Sequence, residues 1–396
     1  MKVSVSVACP VKSTFRVKQL SGMFDVPPTK KSERSWNVEL PDLEEPWQIG
    51  AIVGPSGSGK TTIARKAYGK DFCASFQWPQ ESSVLDGFDE ETSIRDITGI
   101  LSSVGFASPP DWLKPYRVLS NGQRFRADLA RALLTPAEVM VYDEFTSVVD
   151  RQVAQFGSAA GSKTIRKGRT AAFAKRFVVV SCHYDILPWL QPDWVLDLGA
   201  SASGQLARRW LQQGTDRDYF RRIGERPRID LEIRRVSKAM WGLFRAHHYL
   251  SASLLKSAHR YVAFWNDRPI AFCGIIPQYG AVHQWRISRV VTLPDFQGMG
   301  IGNALTNFVA ERYRLAGNRV TIRAAHPAIV ASYARSALWR CISRRLCQTA
   351  PTGLAAREMK ATSAGRATAS FEYIGLAAPA TVGTVSAERL ALKKTK

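Results

Sequence analysis

The sequence predicts an α/β protein of two unlike parts: a first with a glycine-rich loop set between strand and helix, and a second of α+β character on a mainly antiparallel sheet. Three stretches carry that expectation. They are "GPSGSGKTT" (Gly54 to Thr62), the apolar run "VMVY" leading into Asp143 and Glu144, and the glycine turn "QGMGIG" (Gln297 to Gly302) after a long strand. With 396 residues, 45% of them hydrophobic, the chain can build more than one core, and about two domains are expected.

The first element is "WQIGAIV" (Trp47 to Val53), a short β-branched run, and the helix-like "KTTIARKAYG" follows the loop. Gly54, Gly59, Lys60 and Thr61 fill every defined position of G-x-x-x-x-G-K-[ST], and Gly57 adds a flexible point. Glycines let successive N–H groups turn toward the phosphates of a nucleoside triphosphate, Lys60 neutralises the outer ones, and the Thr61 hydroxyl can ligate Mg²⁺. Ser56 and Thr62 complete the nucleotide-binding set. Downstream, Asp143 at the strand end is the expected metal-shell residue and Glu144 the general base that polarises the attacking water.

"LSNGQRFRADLARALL" (Leu119 to Leu134) reads as a second anion-binding helix start. Leu119, Ser120, Gly122 and Gln123 resemble the signature motif of the ABC ATPase family, with Asn121 where glycine is usual. The family's order continues: "SVVD" ending at Asp150 looks like the D-loop, and His183 after "FVVVSC" like the switch histidine. Gln80, or Gln77, would be the Q-loop glutamine, and Phe24 the aromatic stacking on adenine. The resemblance covers roughly the first half of the chain. It implies ATP and Mg²⁺ as ligands and, with one set of motifs per chain, a homodimer through this domain or a pairing with another ABC subunit.

From Gln205 to Arg228 the composition turns polar and basic, which reads as a linker or connecting helix whose arginines either line a phosphate backbone or form a solvated face. The expected division is 1–205, linker 206–228, second domain 229–376 and a basic tail 377–396. In the second domain "DLEIRRV", "RYVAFWN", "RPIAFCGIIP" and "VHQWRISRVVTL" have strand lengths, with a tight turn at "NDR". Gly298, Gly300 and Gly302 then free the backbone to turn toward a pyrophosphate at the start of an amphipathic helix.

Gln297-x-x-Gly300-x-Gly302 after a long strand resembles the acetyl-CoA loop of the GNAT N-acetyltransferase family, so acetyl-CoA or another acyl-CoA is the implied donor. By that resemblance Tyr333, in "HPAIVASYARSALW", matches the tyrosine that protonates the leaving thiolate; His326 stands where the family commonly has asparagine. "FRAHHYLS" (Phe244 to Ser251) holds two histidines beside a tyrosine, able to orient or deprotonate an amine near neutral pH. Here the sequence is similar to the Mom group of phage DNA-modification proteins, which implies roles for His248, Tyr249 and Arg289. The fold class is thus α/β, a P-loop ABC ATPase domain followed by an α+β GNAT-like acyltransferase domain.

The 55 Lys and Arg against 33 Asp and Glu give a formal +22 and suit a polyanionic partner, nucleic acid with DNA first. Six scattered cysteines form no C-x-x-C pair, and no window approaches the ~20 apolar residues of a membrane span. A cytoplasmic protein without membrane insertion is expected. Other function classes left open are a nucleic-acid clamp with a non-catalytic acyltransferase-like module, a transport ATPase, and an acetyltransferase for a protein or small amine.

Overall fold

The computed structural model describes residues 1–26, 31–69, 72–73, 75–168, 176–199, 204–211, 214–248, 253–346 and 367–375. Tyr249 and the expected tail 377–396 lie outside them. The chain divides into two compact units, Met1–Leu231 with Thr292–Ile301, and Glu232–Val291 with the chain from Gly302 onward.

The first unit opens with β1 (Lys2–Pro10), α1 (Phe15–Phe24) and β2 (Lys31–Glu39). Strands β1 and β2 form an antiparallel ribbon in register from Lys2↔Glu39 to Pro10↔Lys31. Then come β3 (Ile49–Val53), α2 (Lys60–Tyr68), β4 (Phe72–Cys73), α3 (Ile94–Ser103), α4 (Pro109–Trp112), α5 (Asn121–Leu134), β5 (Val139–Tyr142), α6 (Arg151–Arg166), β6 (Arg176–Ser181), α7 (Leu187–Leu190), β7 (Trp194–Asp197), β8 (Gln205–Arg208) and α8 (Gly214–Ile223). Strands β4-β5-β6-β3-β7 are parallel, and β8 closes the edge antiparallel to β7.

Ile49, Ala51, Ile52 and Val53 are fully buried because β3 is covered on both faces: Ile49, Ala51 and Val53 point to one core, and Ile52 to another with Ile63, Val178 and Val180. The loop after β3 therefore emerges at the carboxyl edge of the central strand, where open α/β sheets bind their ligands.

The stretch expected to be a linker or connecting helix holds the helix α8 and, at its start, part of the sheet. Gln205–Arg208 is a sheet strand. Arg208 pairs with Glu39 and Glu45, Arg209 donates to the Pro192 carbonyl (3.0 Å), and Arg226 donates to the Trp189 carbonyl and to Ser162. These three arginines hold the first unit together.

The second unit contains β9 (Glu232–Arg235), α9 (Trp241–Phe244), β10 (His259–Trp265), β11 (Arg268–Pro277), β12 (Gln284–Thr292), α10 (Ile301–Leu315), β13 (Arg319–Ala324), α11 (Pro327–Ala334), β14 (Trp339–Leu346) and β15 (Ala367–Tyr373). The sheet order is β14-β15-β13-β12-β11-β10-β9. Asn266 and Asp267, both at positive φ (48° and 60°), make the tight turn between β10 and β11. The parallel pair β12–β13 is in register only from Gln284↔Arg319 to Ile287↔Ile322, although β12 runs on to Thr292. Its far end thus leaves the ladder before the glycine turn.

Candidate functional site

The phosphate loop has the geometry its glycines dictate. Gly57 and Gly59 sit at φ 76° and 96°, and Gly59 caps α2 in the left-handed region. A Cβ at Gly59 would lie 2.4 Å from the Trp36 ring, so this position also needs glycine for close approach. Lys60 folds back on the loop, its ammonium donating to the Gly54 and Pro55 carbonyls at 2.9 and 2.8 Å. Ser56 and Gly57 are exposed, and Thr62 follows Thr61 on the first turn of α2.

The aromatic against this loop is Trp36 of β2, whose neighbour Arg34 donates to the Gly57 carbonyl at 2.8 Å. Phe24, the aromatic expected from the resemblance, ends α1 and is 67% exposed. The alternation in "SERSWNVEL" was the available sequence signal for Trp36, but not for what it touches.

Thr61 and Asp143 are brought together: the threonine hydroxyl donates to the carboxylate at 3.1 Å. Asp143 is 5% exposed, and burial raises its pKa against the pull of that hydrogen bond. One hydroxyl and one carboxylate, both hard oxygen donors, fit a cation whose remaining ligands are water and phosphate oxygens; among the described residues no group of three or more His, Cys, Asp or Glu could hold a metal ion. Glu144 is exposed at φ 51°, accepts from Ser147 at 2.6 Å, and is followed by Thr146 at φ 70°. Positive φ at a β-branched residue is a true outlier, and such strain gathers at working sites. His183 sits after β6; burial, then Arg151, lowers its pKa, with Asp185 and then Glu144 opposing.

Ser120 and Gln123 form a capping box at the start of α5, each side chain satisfying the other's backbone N–H (3.3 and 3.0 Å). Gly122 is partly buried and its carbonyl accepts from Arg126 at 3.4 Å. Asp150 caps α6 through bonds from Gln152 and Val153. Gln80 is exposed and held by its carbonyl to Arg117; Gln77 is held likewise to Arg131.

The turn Thr292–Ile301 groups with the first unit. Gln297 is engaged at both ends, its Oε1 accepting from the Ala107 N–H and its Nε2 donating to the Thr292 carbonyl, each at 3.0 Å. Arg126, 2% exposed and with its pKa pushed down to about 10 by burial, donates to the Asp295 carbonyl. Gly298 and Gly300 have φ of 86° and 91°, whereas Gly302 lies inside α10. Two of the three glycines, not all three, make the turn.

In the second unit Tyr333 is 2% exposed, its hydroxyl 3.0 Å from Thr306 Oγ1 and its pKa raised far above the ordinary range by burial. His326 caps α11 and is buried. Arg289 on β12 is half-buried and donates to the Ser253 carbonyl at 3.1 Å, five residues beyond His248. His248 packs edge-on to Trp241, with ring centroids 6.0 Å apart.

The acetyltransferase (GNAT) family model matches residues 226–335. Over 219 residues, 42% of this chain, the sequence is 29% identical to the mycobactin import ATP-binding/permease protein IrtB of Mycolicibacterium thermoresistibile, of which it spans 36%. It is 31% identical over 153 residues, 34% of this chain, to the zinc import ATP-binding protein ZnuC of Cereibacter sphaeroides, spanning 61% of it. It is 26% identical over 220 residues, 45% of this chain, to the ABC multidrug transporter E of Aspergillus fumigatus, spanning 17% of it. The chain thus spans less than two thirds of each of these relatives. It joins an ABC-type ATPase domain on its N-terminal side to a GNAT acetyltransferase family domain on its C-terminal side.

Proposed function

We propose that this chain hydrolyses ATP as a dimer and transfers an acyl group from acyl-CoA to an amine on a nucleic-acid base, DNA in the first place, in the cytoplasm. The observation that carries the ATPase half is the Thr61–Asp143 pair beneath the glycine loop. The formal +22 carries the choice of nucleic acid.

In the ATPase, Lys60 turns from the loop carbonyls to the outer phosphates, and Thr61 and Asp143 would hold Mg²⁺, which neutralises charge on the phosphates when bound. Glu144 orients the attacking water, and His183, kept neutral by burial, accepts a hydrogen bond beside it. The Ser120–Gln123 helix start closes the ATP site of a second copy.

In the acyltransferase, the acceptor nitrogen attacks the thioester carbonyl, a C–N bond forms and the C–S bond breaks. His248 takes the amine proton, and Tyr333 supplies one to the departing thiolate. A base must leave the duplex stack for this, which costs a few kcal/mol.

A second reading, a nucleic-acid clamp with a non-catalytic acyltransferase-like module, is favoured by the burial of Tyr333. Acyl-CoA binding that is lost in Gly300→Ala supports the first reading over the second. The wider test is ATP hydrolysis with and without DNA and RNA at low and high salt, with Lys60→Ala as blank. Stimulation that high salt abolishes is expected; hydrolysis indifferent to both nucleic acids overturns the proposal.

A further inference from the structure

One face of the second unit's sheet is an arginine lattice. Cα partners across a sheet share a face, and the register places Arg286 opposite Thr321, Thr321 opposite Glu372, and Glu372 opposite Arg340. Two residues to one side along β13, Arg319 stands opposite Gln284; two to the other, Arg323 stands opposite Ser370. All four arginines are exposed. The alternate residues Ile287, Ile322 and Phe371 are buried on the other face, where Phe371 packs against Tyr333 of α11 (centroids 5.7 Å).

The charge on this face is unbalanced. Glu372 takes bonds from both Arg319 (3.1 Å) and Arg340 (2.7 Å) and is held below the ordinary carboxylate range by them. Arg286 and Arg323 form no ion pair among the described residues. A sheet that wanted only solubility would alternate signs; here four guanidiniums face one carboxylate.

We propose that this face, centred on Arg286, Arg319, Arg323 and Arg340, is the surface on which double-stranded DNA docks by its phosphate backbone. The dimensions fit. Arg286 and Arg340 are three strand intervals apart, about 14 Å, and Arg319 and Arg323 four residues apart, about 13 Å. Phosphates of one strand advance about 3.4 Å each along the helix axis, so the lattice spans roughly four of them. Arginine on phosphate positions the duplex without reading its sequence. The inference rests on the nucleic-acid reading above and gives it a location.

The test is the salt dependence of binding to a short fluorescein-labelled duplex, for the full chain, Arg286→Gln/Arg323→Gln and Arg286→Lys/Arg323→Lys. Each phosphate contact adds about 0.9 to the slope of log affinity on log salt. The glutamine pair should lower that slope by about 2 and weaken binding roughly 50-fold at about 0.1 M salt, while the lysine pair stays near the parent. Thermal midpoints check that the variants fold; the single Arg323→Gln, expected to lower the slope by about 1, stands in if the pair does not. Parent binding with an unchanged slope in the glutamine variants overturns this face and leaves the nucleic-acid reading intact. No salt-dependent binding by the parent overturns both.

Discussion

Replacing Gly59 by alanine tests the loop geometry at the point where two independent constraints meet. At φ 96° an L-residue is disfavoured by about 1–2 kcal/mol. The new methyl would also meet Trp36 Cε2 at 2.4 Å and Cζ2 at 2.6 Å, contact that a ring can relieve only by moving. Overpacking of this kind costs about 1–3 kcal/mol, so the sum is about 2–5 kcal/mol. For a unit of this size each kcal/mol lowers the melting temperature by about 2–4 °C. Calorimetry of the full chain should show the first unit's transition fall by roughly 5–20 °C. In a Trp36→Ala background the steric share vanishes and the backbone share persists, a coupling of about 1–3 kcal/mol. An alanine variant that melts with the parent, or a penalty identical in both backgrounds, would refute the placement of Trp36 on the loop.

Other consequences follow from the same geometry. Trp36→Ala, which strips the ring lying on Gly59, should weaken ATP binding by about tenfold, as equilibrium dialysis would show, a loss on the scale of one aromatic contact of about 1–3 kcal/mol. Asp143→Asn keeps an acceptor for Thr61 but removes the metal's anionic ligand, so steady-state ATPase should drop by about 100-fold or more with nucleotide binding retained. Tyr333→Phe should lower kcat of acyl transfer by about 10²–10⁴ with KM little changed, and stability by about 1 kcal/mol for the lost Thr306 partner.

Burial pushes the Asp128 carboxyl from 3.8 up to about 6, although Tyr116 and Trp78 hydrogen-bond it. Between those values the folded chain binds more protons than the unfolded one, so stability declines as pH rises toward about 6 and is flat above, a loss of up to about 3 kcal/mol. The stability of Asp128→Asn relative to the parent should therefore rise from pH 4 to 6 in urea titrations. A gap that is constant with pH contradicts the buried carboxylate.

What was legible in the sequence was whatever is contiguous. The phosphate loop, the strand before Asp143, the glycine turn and the strands of "RYVAFWN" and "RPIAFCGIIP" each announce themselves within a dozen residues, because backbone conformation there is set by glycine, turn residues and period-two patterning. Trp36 was not legible, since its role depends on a ribbon approaching a loop more than twenty residues on. Strand β14 was hidden by its arginines: "WRCISRRL" lacks alternation because one of its faces is charged and its register shifts between Cys341 and Ser343. The stretch from Gln205 looked like a linker because its composition is basic, but Arg208, Arg209 and Arg226 spend their charge on carboxylates, carbonyls and a hydroxyl of the first unit.

The most direct test of the central claim is transfer of label from [¹⁴C]acetyl-CoA, by the intact chain with ATP and Mg²⁺ present, to DNA, RNA, protein and polyamine acceptors in parallel. The account predicts label on a base of the nucleic acid, DNA above RNA, diminished in Tyr333→Phe and in Arg286→Gln/Arg323→Gln. Label confined to protein or polyamine, with none on either nucleic acid, would contradict it.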